Sequence, residues 1–420
     1  MAKYVIEGGN KLVGKVKISG NKNAALPCLC AALLTDQPVI FKNIPNISDV
    51  RVLLEIFKEL GVKVEETAEQ ITIQADEINK NELPKELVTK LRASILLAGP
   101  ILARMGEVRF FHPGGDVIGK RTIQPHFDGF KELGFDFIQR DREYIFKSTK
   151  KHPKSAFIFL EEASVTATEN LIMVSALGDT TVTIKNCAKE PHIVDLCNLL
   201  VQMGASIQGI GESTLTIKGV SRLKGAEFTI GSDFIEIGTY AVAAALTEGE
   251  VELENCQIED LQPVTHFLDK MGVEIKVTHN GTLKVDCTKI LAIPKLHTNI
   301  WPGFPSDLMS VMIVLATQAE GVSLMHDWMY ESRMFFVDKL INMGAHITIA
   351  DPHRVIIYGP TKLSGRVLES PDIRAGMALV LAALIAEGTS VINKAELIER
   401  GYTDVVENLT KLWAKIQRLD

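Results

Sequence analysis

Long apolar runs are missing from this chain: none of its 420 residues belongs to a stretch approaching the roughly 18 a membrane-crossing helix needs. A basic excess is missing too. The net charge of −7 argues against a nucleic-acid partner, because such proteins usually display a cationic face, and it means that any anionic ligand must be held by a local group of cations. Cysteines are few and scattered (Cys28, Cys30, Cys187, Cys197, Cys256, Cys287). Cys28 and Cys30 have no second pair at zinc-ligand spacing, and the histidines form no HxxxH-type group. Reduced, buried thiols and no metal or cofactor are therefore expected. Low-complexity segments and long linkers are absent, and the first residues carry no signal-peptide hydrophobic region, so a cytoplasmic protein is expected. What remains is a globular chain, 46% apolar and 23% charged.

A repeat fills it. Six times an amphipathic segment ends in a short hydrophobic step and then a strand-like tail, with Val62, Phe135, Ala205, Val273, Ala345 and Ala414 at the third position of each step, 68 to 73 positions apart. Ahead of the steps, apolar residues recur at i, i+3, i+4 and i+7, as in Leu53, Ile56, Phe57 and Leu60 or Leu196, Leu199, Leu200 and Met203. Each set makes one stripe of a helix. Five steps then place glycine where a helix commonly stops in a left-handed residue. The sixth has Trp413, for which that conformation is strained, so this helix is expected to end another way, in a relaxed terminal repeat. After each step apolar residues alternate, as in Val62 and Val64 or Val273 and Ile275, the period of a half-buried strand. The pattern predicts an α/β protein of six copied units, three to a domain, with a crossing near Phe228 to Ser232. The strand Tyr4 to Ile6 fits either half.

Three groups of residues are not explained by core packing. Gly20-Asn21-Lys22-Asn23 leads into an apolar helix and puts Lys22 and Asn23 near its N-terminus, a place suited to an anion and equally to a solvated cap. His112 to Arg121 holds three glycines in six residues with Asp116, Lys120 and Arg121, either a surface turn or a hinged lid over a ligand. The third group, Phe304-Pro305-Ser306-Asp307, Glu331-Ser332-Arg333, Asp372-Ile373-Arg374 and Glu399-Arg400-Gly401-Tyr402, reads by default as surface ion pairs, with Asp307 a candidate helix cap.

In order along a six-unit chain, Gly-Asn-Lys-Asn, Pro-Gly-Gly-x-x-x-Gly-x-Arg, Pro-Gly-Phe-Pro-x-Asp and Arg-Gly-Tyr resemble the UDP-N-acetylglucosamine enolpyruvyl transferases over the whole length. The resemblance implies the two-domain enolpyruvyl transferase fold, an inside-out α/β barrel of six βαβαββ units. Residues 22–229 would form one domain and residues 1–21 with 230–420 the other, with the active site in the cleft between them. It implies transfer of the enolpyruvyl group of phosphoenolpyruvate to the sugar 3-hydroxyl by addition and elimination, releasing phosphate, the first committed step of peptidoglycan synthesis. Lys22, Asn23, Arg121, Arg333, Arg374 and Arg400 would hold phosphoenolpyruvate. Asp307 would serve the sugar hydroxyl as acid–base group, and Asp116 would deliver the proton to the methylene carbon. Arg92, Arg121, Thr122, Ile123, Gln124, Pro125, Ala163, Ser164, Val165 and Met329 would line the nucleotide sugar.

Four places depart from the family's pattern. Asp116 stands where most members carry cysteine. Arg-Pro-Ile-Asp reads Arg121-Thr122-Ile123-Gln124, Ser-Val-Gly-Ala-Thr reads Ser164-Val165-Thr166-Ala167-Thr168, and Asp-Arg-Ile-Glu reads Asp233-Phe234-Ile235-Glu236. Two rivals follow: an enolpyruvylshikimate-phosphate synthase-like transferase, which typically opens with Gly-Asp-Lys-Ser and lacks the Pro-Gly-Gly loop, and a non-catalytic paralogue that binds nucleotide sugar.

Overall fold

The computed structural model describes every residue except 1, 116, 117, 120, 150–152 and 280. It divides into two compact units: Met1–Ser19 with Ser232–Asp420, together with Ile118 and Gly119, and Gly20–Gly115 with Arg121–Gly231. Each is built on three sheets. Every repeat supplies two kinds of helix. The amphipathic ones read from the sequence (Ser48–Glu59, Gln124–Glu132, Pro191–Gln202, Gln262–Lys270, Val337–Met343, Val405–Lys411) lay one apolar stripe on the core. A second set is buried over most of its surface: Lys22–Ala31, Ala98–Met105 (except its last turn) and Val165–Ser175 in one unit, Phe234–Leu246, Ser306–Thr317 and Ile373–Ile385 in the other. Sequences such as Met-Ala-Leu-Val-Leu-Ala-Ala-Leu have no polar face to offer water, so these helices form the core of their unit. Close packing is set by small residues; a Cβ on Gly238 would come within 2.9 Å of Leu308 Cδ1.

Each sheet follows one plan. The strand before an inner helix pairs in parallel with the strand after it, as Ser155–Phe159 does with Thr181–Lys185 and Lys295–His297 with Gly321–His326. The second repeat keeps only a parallel bridge, Glu82 to Arg109, because Pro84 ends the segment. An antiparallel pair then completes the sheet. Where the chain passes from one unit to the other the plan is exchanged: Val13–Lys17 pairs with Glu250–Glu254, and Glu227–Thr229 with Val39–Lys42. Among the described residues no helix is long and apolar enough to cross a membrane.

The sixth repeat departs from the sequence expectation twice. It is not relaxed, since Lys3–Glu7 fills its missing strand, lying antiparallel between Thr389–Asn393 and Lys415–Leu419. That places the first strand in the unit of residues 232–420. Trp413 also takes the left-handed conformation it was expected to avoid, with φ +72°. Its N–H bonds Thr410 O at 2.9 Å and Ala414 N bonds Leu409 O at 2.9 Å. This is the closure made at Gly61, where Gly61 N bonds Lys58 O at 3.1 Å and Val62 N bonds Phe57 O at 3.0 Å. Trp413 is 68% exposed, so its bulk is mostly in solvent, and two hydrogen bonds with burial of Leu412 and Ala414 outweigh a backbone cost of about 1–2 kcal/mol.

Candidate active site

The motif residues gather at the N-terminal ends of the inner helices. Lys22 opens Lys22–Ala31, Arg92 opens the 3-10 turn that runs into Ala98–Met105, and Val165 opens Val165–Ser175 behind its cap Ser164. In the other unit Asp307 lies in the first turn of Ser306–Thr317 and Arg374 in that of Ile373–Ile385. These ends carry N–H groups that no intrahelical carbonyl reaches, and a positive dipole end.

In the unit of residues 232–420, Asp307, Arg333 and Arg374 form one cluster. Asp307 Oδ1 accepts from Arg333 Nη2 at 3.1 Å, and Oδ2 accepts from Arg374 Nε at 2.9 Å, with Arg374 Nη2 at 2.8 Å. The arginines are 2% and 5% exposed, whereas the Asp307 side chain is 31% exposed. Burial works against both guanidinium charges, but the surrounding carboxylates, Asp307 foremost, hold both pKa values above the ordinary arginine value. Arg374 also lies over the Tyr402 ring, 5.2 Å from its centre. Two donors are left over: Arg333 Nε and Arg374 Nη1 are buried without a hydrogen-bond partner among the described residues. Asp307 is therefore not the helix cap; Pro305 holds that position and Asp307 bonds arginine instead. Nor is Arg374 in a surface pair with its neighbour, since Asp372 caps its own helix through Arg374 N and Ala375 N. Arg400 is half-buried at the end of the Ala395–Arg400 turn; its neighbour Glu399 bonds Arg418 and Tyr4.

Asp327 completes this cluster and had no signal in the sequence. It accepts from Ser306 Oγ at 2.5 Å and from Met329 N at 2.9 Å, and lies 3.9 Å from Arg333 Nε. Met329 thus belongs to the same neighbourhood through its backbone. The segment 331–333 also meets the glycine loop: Ser332 N bonds Ile118 O at 3.0 Å, and a Cβ on Gly119 would fall 2.3 Å from Glu331 Oε2. Asp116 lies outside the described residues. Of the departing stretch at 233–236, Asp233 caps the helix through Ile235 N and Glu236 N, and Phe234 packs on Trp301 with ring centres 5.2 Å apart. Glu236 accepts from Ser19 N and Oγ, and burial pushes its pKa up to about 7.

The unit of residues 20–231 arranges its polar residues differently. Lys22 Nζ pairs with Asp49 Oδ2 at 2.7 Å, the side chains only 10% and 7% exposed, a partner the sequence did not point to. Asn21 caps the helix through Ala24 N, and Asn23 is half-buried. Arg92 Nη2 donates to the carbonyls of Arg121 (2.9 Å) and Thr122 (3.2 Å), fixing the chain that enters the Gln124–Glu132 helix. Arg121 and Pro125 are half-buried, Ile123 is buried, and Thr122 and Gln124 are exposed. Gln124 donates to Asp128, and Ala163, Ser164 and Val165 are half-buried. Gly114 is required by close approach, because a Cβ there would fall 1.8 Å from Thr89 O.

Comparison with known proteins bears on these clusters. The model of the family described as EPSP synthase (3-phosphoshikimate 1-carboxyvinyltransferase) matches residues 6–409. A UDP-N-acetylglucosamine 1-carboxyvinyltransferase of Borrelia garinii subsp. bavariensis is 47% identical, with 100% of this chain and 99% of the relative covered. One of Treponema denticola is 46% identical over 99% of each chain. Among solved structures, the enolpyruvyl transferase NikO from Streptomyces tendae superposes with a TM-score of 0.88 at 25% identity, covering 99% of this chain and 98% of its own. With a family model spanning nearly the whole sequence and full-length relatives near one-half identity, this chain belongs to the enolpyruvyl transferases of the EPSP synthase family, on the branch of the UDP-N-acetylglucosamine 1-carboxyvinyltransferases.

Proposed function

We infer that this protein transfers the enolpyruvyl group of phosphoenolpyruvate to the 3-hydroxyl of UDP-N-acetylglucosamine, releasing phosphate, at the entry to peptidoglycan synthesis. The observation that carries the chemistry is the pair of buried guanidinium donors without a hydrogen-bond partner among the described residues, Arg333 Nε and Arg374 Nη1, beside a carboxylate that is one-third exposed. A buried unsatisfied donor is costly, and a phosphate or carboxylate oxygen removes that cost with a charge-assisted bond. An arriving anion also competes for the N–H groups now held by Asp307. Freed of part of its pairing, Asp307 gains basicity as the sugar hydroxyl needs to lose a proton. Lys22, Asn23, Arg121 and Arg400 complete the electrostatic stabilisation of phosphoenolpyruvate and the tetrahedral intermediate. Arg92, the 121–125 stretch, 163–165 and Met329 receive the nucleotide sugar. Six free cysteines, five of them buried, fit a reducing cytoplasm.

Asp116 is the proton donor to the methylene carbon in this reading. An ordinary aspartate, with a pKa near about 3.9, is ionised at neutral pH, so it needs a neighbouring anion or desolvation to carry that proton. Phosphate release from the two substrates by the purified protein tests the reading, with shikimate 3-phosphate as the competing acceptor. Release with the nucleotide sugar alone is expected; release with shikimate 3-phosphate instead would move the protein to the rival transferase. Fosfomycin should leave the unmodified protein active and inactivate Asp116→Cys through a thiol adduct. Time-dependent inactivation of the unmodified protein, with an adduct on Asp116 by mass spectrometry, would overturn the expected resistance.

A further inference from the structure

Thr166 stands where the family's pattern has glycine, and its hydroxyl is the end of a buried chain of hydrogen bonds. Asn170, on the same inner helix, begins the chain. Its Oδ1 accepts from Gly99 N at 2.7 Å, and its Nδ2 donates to Ile95 O at 2.9 Å. An N–H can only donate and a carbonyl can only accept, so these two backbone groups fix which way the amide faces. The second Nδ2 hydrogen then meets His126 Nδ1 at 2.9 Å, and that nitrogen must be the unprotonated one. The ring hydrogen is therefore on Nε2 and donates to Thr166 Oγ1 at 3.1 Å. Burial, with Arg92 nearby, pushes the His126 pKa down to about 3, so the ring stays neutral at working pH. Space for the amide is also reserved: a Cβ on Gly99 would fall 2.8 Å from Asn170 Oδ1.

The chain ends with a donor unspent. Oγ1 of Thr166 has no other hydrogen bond among the described residues, and its own hydrogen is uncommitted. Helical threonines usually give that hydrogen to the preceding turn, as Thr168 does to Ser164 O at 2.8 Å. For Thr166 the corresponding carbonyl, Glu162 O, already accepts from Ser164 N at 2.7 Å. Thr166 is half-buried, one residue beyond Val165, and its hydroxyl is bonded to a histidine one residue beyond Pro125, so it joins the two stretches assigned to the nucleotide sugar.

We propose that Thr166 is a further binding residue for the nucleotide sugar, donating its hydroxyl hydrogen to an acceptor on that ligand, with His126 and Asn170 as positioning residues that aim it. This rests on the reading of residues 121–125 and 163–165 as the nucleotide-sugar face. The test is calorimetric titration with UDP-N-acetylglucosamine, which needs no turnover, alongside steady-state kinetics. Thr166→Val should weaken binding about tenfold, the scale of one neutral hydrogen bond, and raise the nucleotide-sugar KM in step while the phosphoenolpyruvate KM moves less than about twofold. Thr166→Ser should bind within about twofold of the unmodified protein. His126→Phe, which keeps the volume and removes the aim, should lose about threefold. An unchanged Kd in Thr166→Val overturns the proposal, as does a serine variant as weak as the valine one, or an equal rise in both KM values. Binding of the nucleotide sugar without phosphate release would remove the transfer reading and leave this test intact. Normal transfer with an unmoved Thr166→Val would remove this inference alone, and an unmodified protein that binds no nucleotide sugar would overturn both.

Discussion

The two units share one scaffold and bury charge in opposite ways. In the unit of residues 232–420, two buried arginines converge on one carboxylate, and donors remain over. In the unit of residues 20–231, Lys22 pairs with Asp49, and Arg92, His126 and Asn170 spend hydrogen bonds on the main chain, on one another or on Thr166. The same helix ends thus serve two ends. In one, buried arginines keep unused hydrogen-bond capacity for an incoming anion; in the other, Lys22 brings an already neutralised charge and the remaining polar side chains mostly set the shape of a surface. Copying a repeat supplied the positive helix termini in both, and a few polar residues then divided the work between them.

The sharpest way to break this comparison is at Asp307. Asp307→Ala strands two buried cations, though Asp327 and Asp372 remain near them. Breaking a fully buried pair costs about 3–5 kcal/mol. Because the Asp307 carboxylate is partly exposed, about 2–3 kcal/mol of stability is expected to go, read from the urea midpoint. Phosphate release should fall by about 10³ or more, the scale of losing an acid–base group, while calorimetry still finds the nucleotide sugar bound. If binding vanished together with turnover, Asp307 would be a positioning residue and the contrast between the units would weaken.

Lys22 tests the other side. Lys22→Ala removes the ammonium that neutralises the buried Asp49 carboxylate, so a loss of up to about 3–5 kcal/mol in stability is expected in addition to lost turnover. The double variant Lys22→Met with Asp49→Leu replaces the pair by apolar groups of similar size and should recover most of that stability. Turnover should stay low, because the proposed role for Lys22 is a charge against phosphoenolpyruvate. A double variant that released phosphate normally would reduce Lys22 to a scaffold residue.

Much of this architecture was legible in the chain, for identifiable reasons. Amphipathic helices and their glycine stops advertise themselves through period and conformation, and Leu53 to Leu60 could hardly read otherwise. Inner helices such as Ile373–Ile385 are apolar on every side and carry no period to read. Arg374 and Asp307 were visible as residues, but their pairing spans 67 positions, and the adjacent Asp372 offered a nearer and wrong partner. Asp49 and Asp327 had no local signal, since only the folded chain brings them to Lys22 and Ser306. The strand Lys3–Glu7 was legible as a strand, whereas its place in the sixth repeat depends on pairing with residues almost 400 positions away.

The smallest effect sharpens the claim that the scaffold is common to both units and only its polar residues differ. Five of the six repeats stop their outer helix at a left-handed glycine, and the sixth does so at Trp413 with the same hydrogen bonds. Relieving that residue is worth about 1–2 kcal/mol, from which the greater freedom of glycine in the unfolded chain subtracts about 0.5–1 kcal/mol. Trp413→Gly should therefore stabilise the protein by about 0.5–1 kcal/mol in urea titration. Trp413→Ala, still strained at a positive φ, should not gain. Nucleotide-sugar affinity and turnover should be unchanged in both, because Trp413 belongs to the repeat and to no functional cluster. A glycine variant less stable than the original would mean that the indole, though 68% exposed, contributes packing that exceeds its strain, and that the sixth repeat is held together on different terms from the other five.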